Sequence, residues 1–350
     1  MSFPLVNSII SWFLKKRKHQ IELFLKYPLD VQEELLFKLL NTAKNTEFGK
    51  EHYFSSIRDY TDFTNAVPIQ RYESIEPLIE RCRKGEQNLF WPTPIKWFAK
   101  SSGTTNAKSK FIPVSDEALE YCHMKAGKDM LCLYINNNED TQLFTGKGLK
   151  LGGSTAIYED NNSYFGDLSA IITENLPFWA DFSSAPSLEI ALMSEWETKM
   201  EAIIDETINE NITSLVGVPS WMLVLLNRVL EKTGKENILE VWPNLEVYFH
   251  GGVNFNPYRE QYKKLIPKKD FKYYETYNAS EGFFGIQDRN NSDELLLMLD
   301  YGIFYEFIPM NIYDGEHSKA SPIAQVKKGV NDEVVITTNG GLWRYLIGDT

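Results

Sequence analysis

Cysteine and histidine are scarce in this 350-residue chain, and neither is clustered. Three cysteines, Cys82, Cys122 and Cys132, form no Cys-x-x-Cys pair and are odd in number. That pattern fits reduced thiols in a cytoplasm better than a secreted disulfide framework. Five histidines (His19, His52, His123, His250 and His317) include no i, i+4 pair and no His/Cys group, which argues against a structural zinc or a metalloprotease site. Basic charge is also in deficit. With 36 Lys and Arg against 48 Asp and Glu, the net charge is -12, and no nucleic-acid partner is expected without a basic footprint. A local phosphate site is not excluded by that balance.

Long apolar runs are missing as well. The opening "MSFPLVNSIISWFLKKRKHQ" carries its positive charges after the apolar stretch, and no small-residue cleavage site follows, so it does not read as an export signal. It is too short to span a bilayer. A helix whose apolar stripe packs on the body is the preferred reading. Lys15, Lys16, Arg17 and Lys18 leave open a transient contact with a membrane surface, with no stable insertion.

What is present is ordinary globular composition, 43% hydrophobic and 24% charged, in a chain long enough for one large domain or two lobes. No repeat, low-complexity segment or clear linker interrupts it. "IELFLKYPLDVQEELLFKLLNTAK" spaces its apolar residues by threes and fours and predicts helix, with Asp30 as an N-cap. "IKWFAK" and "KFIPVS" predict strands, followed by a helix capped by Ser115 or Asp116. "GKGLKLGGS" lacks the third glycine of a dinucleotide fingerprint, because Leu151 stands there, and predicts two short strands joined by a glycine turn. "LEIALMSEWETKMEAIIDETINEN" predicts one long helix. "ITSLVGV" predicts a buried strand, and "PSWMLVLLNRVLEKTG" a helix started by Pro219 and ended at Gly234. "LEVYFHGGV", "FKYYETYNASEG", "GIFYEFIPM" and "DEVVITTNGG" predict further strands. Helices and strands alternate through the middle, which favours an α/β fold.

Three stretches carry the chemistry. The first is Ser101-Ser102-Gly103-Thr104-Thr105 with Lys108 and Lys110 behind it; the second is Tyr277-Asn278-Ala279-Ser280-Glu281-Gly282; the third is "GLWRYLIGDT", Gly341 to Thr350. Hydroxyls around a glycine offer a concave row of backbone N–H and O–H donors suited to phosphate. A Ser/Thr-rich surface loop would look the same in isolation. Glu281 alone reads equally as a solvated turn carboxylate. The glycine pair Gly251-Gly252 after a strand allows a flat ring to approach the backbone.

In this order the three stretches resemble the phosphate loop, the aromatic-to-Glu motif and the Gly-Asp motif of adenylate-forming enzymes: acyl-CoA synthetases, peptide-synthetase adenylation domains and luciferases. The finer resemblance is to the Gretchen Hagen (auxin-responsive) acyl acid amido synthetases, above all their bacterial relatives. It rests on "SSGTT…SKFIPV", "GVPSW", "HGGV…PY", "YNASEGFFGIQ" and "YGIFYEFIP", and runs across nearly the whole chain. It implies a luciferase-like α/β fold of mixed sheets packed with helices, with residues 1–350 forming the large N-terminal domain. A small mobile C-terminal domain would follow residue 350.

The resemblance further implies an ATP-dependent ligase that converts a small carboxylic acid to its acyl-adenylate, then passes the acyl group to an amine, an amino acid in this family. Ser101, Ser102, Gly103, Thr104, Thr105 and Lys110 would hold the phosphates. Glu281 would hold Mg2+, and with Lys110 makes up the catalytic pair. Gly251, Gly252, Val253, Tyr277, Asn278, Ala279 and Ser280 would line the adenine and acyl-phosphate, and Asp349 the ribose. Pro219, Ser220, Trp221 and Phe255 would wall the acid pocket, although Trp221 at a helix start serves equally as core. Leu346 stands where the family's Tyr-Arg-x-Gly-Asp pattern has arginine, with Arg344 two positions earlier. Two other readings remain open: a thioester ligase using coenzyme A, and a non-catalytic nucleotide-binding protein lacking the mobile domain.

Overall fold

The computed structural model describes residues 17–101, 109–153, 157–160, 162–176, 183–314 and 318–348. Of the site residues expected above, Ser102, Gly103, Thr104, Thr105 and Asp349 lie outside the described residues, as does Lys108.

Residues 17–26 are helical and lead into helix α1 (Pro28–Ala43). Pro28 opens α1, where its missing N–H costs nothing. The expected cap Asp30 instead lies inside the first turn, behind Tyr27 at the N-cap, where its charge still favours the helix dipole. Leu36, Leu39, Leu40 and Ala43 form the buried stripe. Among them the Gln32 amide donates to the carbonyls of Leu299 (2.9 Å) and Ile303 (3.0 Å) and accepts from Tyr305 N (2.9 Å). That side chain substitutes for missing backbone partners and fixes the helix against a strand. Arg17, expected at the surface, turns inward: it donates to Asp129 Oδ1 (2.9 Å) and Asp300 Oδ1 (2.8 Å).

Among the described residues three sheets are built from strands β1 (Trp97–Ser101), β2 (Lys110–Val114), β3 (Lys147–Leu151), β4 (Tyr158–Asp160), β5 (Ser163–Gly166), β6 (Ser184–Ala185), β7 (Ile212–Gly217), β8 (Val247–Gly251), β9 (Lys272–Ala279), β10 (Gly282–Ile286), β11 (Leu296–Leu297), β12 (Ile303–Pro309), β13 (Ser321–Pro322), β14 (Asp332–Thr338) and β15 (Tyr345–Leu346). The central sheet has order β11-β10-β9-β8-β7-β3-β6, and its run from β9 to β6 is parallel. Parallel strands are covered on both faces. Tyr248 packs with α4 (Trp196–Thr207), α5 (Pro219–Thr233) and α6 (Arg259–Leu265) on one face. Its neighbours Val247 and Phe249 pack with α3 (Lys125–Asn137) on the other. A smaller sheet, β2-β1-β5-β4, holds the β1–β2 hairpin, and a third, β13-β12-β14-β15, ends the chain.

Two sequence expectations change. The helix predicted from Leu188 is broken into Leu188–Ala191 and α4, because Glu195 caps the second piece by accepting from Glu197 N (3.2 Å) and Thr198 N (2.6 Å). A carboxylate that captures backbone donors starts a helix better than it continues one. The two strands read in "GKGLKLGGS" and beyond do not pair as a hairpin; β3 enters the central sheet and β4 the smaller one. Pro219 and Gly234 bound α5 as expected, with Gly234 left-handed at φ +66°.

Candidate active site

Three of the predicted stretches emerge side by side because the parallel strands end in register. Gly217 pairs with His250, His250 with Glu275, and Gly251 with Thr276. "GVPSW", "HGGV" and "YNASEG" therefore open from adjacent carboxyl ends of β7, β8 and β9. That edge is where open α/β sheets take ligands. The glycine pair is required by space as much as by torsion. A Cβ on Gly251 would sit 2.5 Å from Thr276 O, and Gly252 has φ +82°. Ser280 and Glu281 form the two-residue turn between Ala279 and Gly282, which are paired across β9 and β10.

Two residues of the first stretch, Ser101 and Lys110, are described, on β1 and β2. Ser101 and Lys110 are register partners, the last pair of β1 with β2. Tyr72, at the start of α2 (Tyr72–Arg83), accepts from Phe111 N through its hydroxyl (2.9 Å), and Lys110 Nζ lies 5.8 Å from its ring centroid. Ser115 caps the helix after β2 by accepting from Ala118 N (3.0 Å) and donates to Asn339 O (2.7 Å). Cys122 Sγ then meets the Glu281 turn, accepting from Phe283 N at 3.2 Å.

Tyr345 ties in the third stretch. Its phenol is pushed well above the usual range, first by burial and then by the Glu281 carboxylate, with Tyr72 and Glu73 adding to it. Glu281, Tyr72 and Tyr345 thus share one electrostatic neighbourhood. Beyond them Gly348, left-handed at φ +90°, donates from N to Glu333 Oε1 (2.8 Å) and leads to position 349.

Arg344 is a framework residue. It is 5% exposed, and its Nη2 reaches Glu306 Oε1 (2.8 Å) while Nε reaches Oε2 (3.0 Å). Nη1 donates to Val67 O (2.8 Å), and Tyr60 O–H donates to the same Glu306 Oε1 (2.7 Å). Leu346, where the family pattern has arginine, is buried with Ile69, Ile308 and Val335.

The residues expected around the acid divide. Pro219 is buried and Ser220 half-buried, while Trp221 is 38% exposed, edge-on to Trp196 at 5.8 Å. Val253 is exposed. Phe255 is enclosed, stacked on the His250 ring at 4.1 Å. A cavity of about 300 Å3 lies beyond Gly152, lined by Lys150, Ser169, Thr173 and Lys199. The Lys199 ammonium, whose pKa burial lowers, donates to Gly153 O (3.0 Å) and Ala191 O (2.9 Å). Tyr72 and Cys122 had no local signal in the sequence; both act through partners far along the chain.

Comparison with known proteins gives the class first. The chain superposes on the acyl acid amido synthetase AtGH3.15 in complex with 2,4-DB with a TM-score of 0.76, at 18% identity, covering 91% of this chain and 64% of that one. It also matches a 2-hydroxyisobutyryl-CoA ligase with a TM-score of 0.57, at 12% identity over 90% of this chain and 67% of the other. The fold is that of the adenylate-forming enzymes. Residues 17–271 match the GH3 family N-terminal domain, and residues 296–350 the GH3 family central domain. The chain belongs to the GH3 family. Indole-3-acetic acid-amido synthetase GH3.2 of Arabidopsis thaliana is 25% identical over 94% of this chain and 72% of its own length. Jasmonoyl–L-amino acid synthetase JAR6 of Nicotiana attenuata is 24% identical over 91% and 65%. The chain spans about two thirds of the length of these relatives.

Among the described residues no helix is long and apolar enough to cross a membrane.

Proposed function

We propose that this protein is an AMP-forming acyl acid amido synthetase: it adenylates a small carboxylic acid and transfers the acyl group to an amino acid. One observation carries the reading. The Lys110 ammonium lies 5.8 Å from the Tyr72 ring, and Glu281 and Tyr72 both act on the Tyr345 phenol, which supports one site drawing on all three stretches.

In the first half-reaction a carboxylate oxygen attacks the α-phosphorus of ATP and pyrophosphate leaves. In the second the amine nitrogen attacks the acyl carbonyl, AMP leaves with the carbonyl–phosphate bond pair, and the amine loses a proton. Catalysis of the first step is positioning and charge neutralisation. Ser101, Ser102, Gly103, Thr104 and Thr105 supply donors to the phosphates, and Lys110 a point charge. Tyr277, the 278–280 backbone, Gly251, Gly252 and Val253 take the adenine and acyl-phosphate, and Asp349 the ribose hydroxyls. Pro219, Ser220 and Trp221 contribute to the acid pocket.

Magnesium fits the donor set without a protein cage. Among the described residues no three His, Cys, Asp or Glu are grouped to hold a metal. Mg2+ characteristically uses one or two carboxylates with substrate phosphates and waters, which a single Glu281 satisfies. Bound there, it would neutralise phosphate charge. A mobile C-terminal domain after residue 350 would close over the site between the half-reactions, so a chain carrying it should form amide faster than residues 1–350 alone. A cytoplasmic location agrees with three buried cysteines that form no disulfide among the described residues.

The shared fold with a CoA ligase gives a second reading, transfer to a thiol. Acceptor-dependent AMP release separates the two. Stimulation by an amino acid and not by coenzyme A supports the amide; the reverse rejects it.

A further inference from the structure

At the end of β3 two opposite charges adjoin Gly153 without forming an ion pair. Leu151 pairs with Gly217, so Gly152 and Gly153 leave the central sheet at its carboxyl edge. A Cβ on Gly153 would sit 2.9 Å from Asp167 Oδ2 and 3.0 Å from Trp221 Cη2. On the cationic side, Lys199 is 2% exposed, and its ammonium donates only to neutral carbonyls, Gly153 O (3.0 Å) and Ala191 O (2.9 Å). An ammonium carries three N–H donors, so one is left over among the described residues. Asp167 precedes the helix Leu168–Glu174 without capping it, and its carboxylate accepts no hydrogen bond among the described residues. Burial raises the Asp167 pKa, opposed by Lys100 and then Lys199, and lowers that of Lys199, opposed by Asp167. Lys100 comes close because Gly166 pairs with Ala99, and the next residue of each strand follows. Asp167 thus stands between the strand that ends at Ser101 and the cavity of about 300 Å3 that Lys199 lines.

We propose that this cavity takes the acceptor amino acid as its zwitterion, with Lys199 holding the carboxylate and Asp167 the ammonium group. That the guest is the acceptor rests on the amido synthetase reading; the match of charges does not. A cation buried on neutral carbonyls is costly until an anion joins it. A zwitterion carries both charges within one small group, and so bridges an ammonium and a carboxylate that are close but unpaired. A simple carboxylic acid satisfies Lys199 and brings a like charge to Asp167, and a simple amine has the reverse fault. The volume is about ten times the share of one water molecule in the liquid, enough for an amino acid with its side chain. Ser169 and Thr173 add hydroxyl donors to the wall from a single helix. Asp167 adjoins both the strand of the phosphate stretch and Trp221 of the acid wall, so the amine end lies where acyl group and phosphate would meet.

The test is binding of a panel of amino acids to the nucleotide-free protein by calorimetry. Two analogues of the tightest member follow: its methyl ester, which lacks the carboxylate charge, and its des-amino acid, which lacks the ammonium. Their affinities are read by displacement of the amino acid, so that binding elsewhere does not count. Each should bind the parent about tenfold or more weakly than the amino acid, the worth of one charge-assisted hydrogen bond. Asp167→Asn keeps the shape and removes no helix cap. It should weaken the amino acid by about tenfold and erase the discrimination against the des-amino analogue, while the ester stays weak. Lys199→Met should do the reverse; if that variant does not fold, Asp167→Asn decides alone. A parent that binds no amino acid, or an Asp167→Asn variant that ranks the three probes as the parent does, overturns the proposal. The expected ranking in a parent without acid-dependent ATP–pyrophosphate exchange keeps the zwitterion site and removes the enzymatic reading. Exchange in a parent whose binding ignores either charge removes the site and keeps the enzyme.

Discussion

Replacing Glu306 by glutamine should be among the most damaging conservative changes available in this chain. Glu306 is fully buried and accepts from Arg344 Nη2 (2.8 Å), Arg344 Nε (3.2 and 3.0 Å) and Tyr60 O–H (2.7 Å). Glutamine keeps the shape but leaves the Arg344 guanidinium without its counter-charge, and its amide nitrogen faces donors on one side. Breaking one partner of a buried pair costs about 3–5 kcal/mol, whereas replacing both by apolar groups of similar volume is far cheaper. The double change Glu306→Leu with Arg344→Met should therefore cost less than the sum of its singles by at least about 2 kcal/mol. Arg344 also holds a left-handed φ of +46° one residue before Tyr345, and its carbonyl accepts from Gln70 N at 2.9 Å. Loosening it should release Tyr345 from Glu281. Urea unfolding followed by far-UV circular dichroism gives the stabilities. Single changes costing under about 1 kcal/mol, or strict additivity of the double, would refute the reasoning.

Other expectations follow from the proposed site and from the buried histidines. Thr104→Val with Thr105→Val should weaken Mg-ATP binding by about tenfold or more at unchanged fold, measured by calorimetry, since each lost donor to a charged phosphate is worth about 1.5–3 kcal/mol; unchanged affinity would remove the loop from the site. Glu281→Gln should raise the magnesium concentration needed for half-maximal exchange, and an unaltered magnesium curve would reassign the ligand. Burial lowers His123 to about 4 and His250 to about 3, the latter helped by Arg259. Both stay neutral when folded, while the unfolded chain takes up protons below about pH 6.5, so their stability contribution is full above that pH and is lost as pH falls. By pH 5 the loss is about 2 kcal/mol for each, and a stability flat from pH 7 to 5 in wild type would contradict it.

Much of the framework around the candidate site is legible in the sequence, because its signals are local. Gly251 and Gly252 are glycines for reasons of space and torsion, Pro219 and Gly234 bound a helix by backbone chemistry, and Ser101 to Lys110 spans a single hairpin. What escaped was set by contacts between distant positions. Gln32 bonds residues 267 to 273 positions away, and Arg344 finds Glu306 across 38. No periodicity encodes such pairs. Phe255 shows the opposite error of scale: beside a glycine motif it reads as pocket wall, yet its ring lies on His250 in the core and reaches the site only through the loop it anchors. The break before Trp196 was hidden because Glu195 favours helices in general and stops one here by capping the next.

The measurement that bears most directly on the whole account is carboxylate-dependent ATP–pyrophosphate exchange across a panel of aryl, indole and aliphatic acids, run with Mg-ATP binding measured in parallel. The account predicts exchange that requires one class of acid and disappears without it. Mg-ATP binding with no exchange for any acid would contradict adenylation, and no binding at all would contradict the assignment of all three motifs.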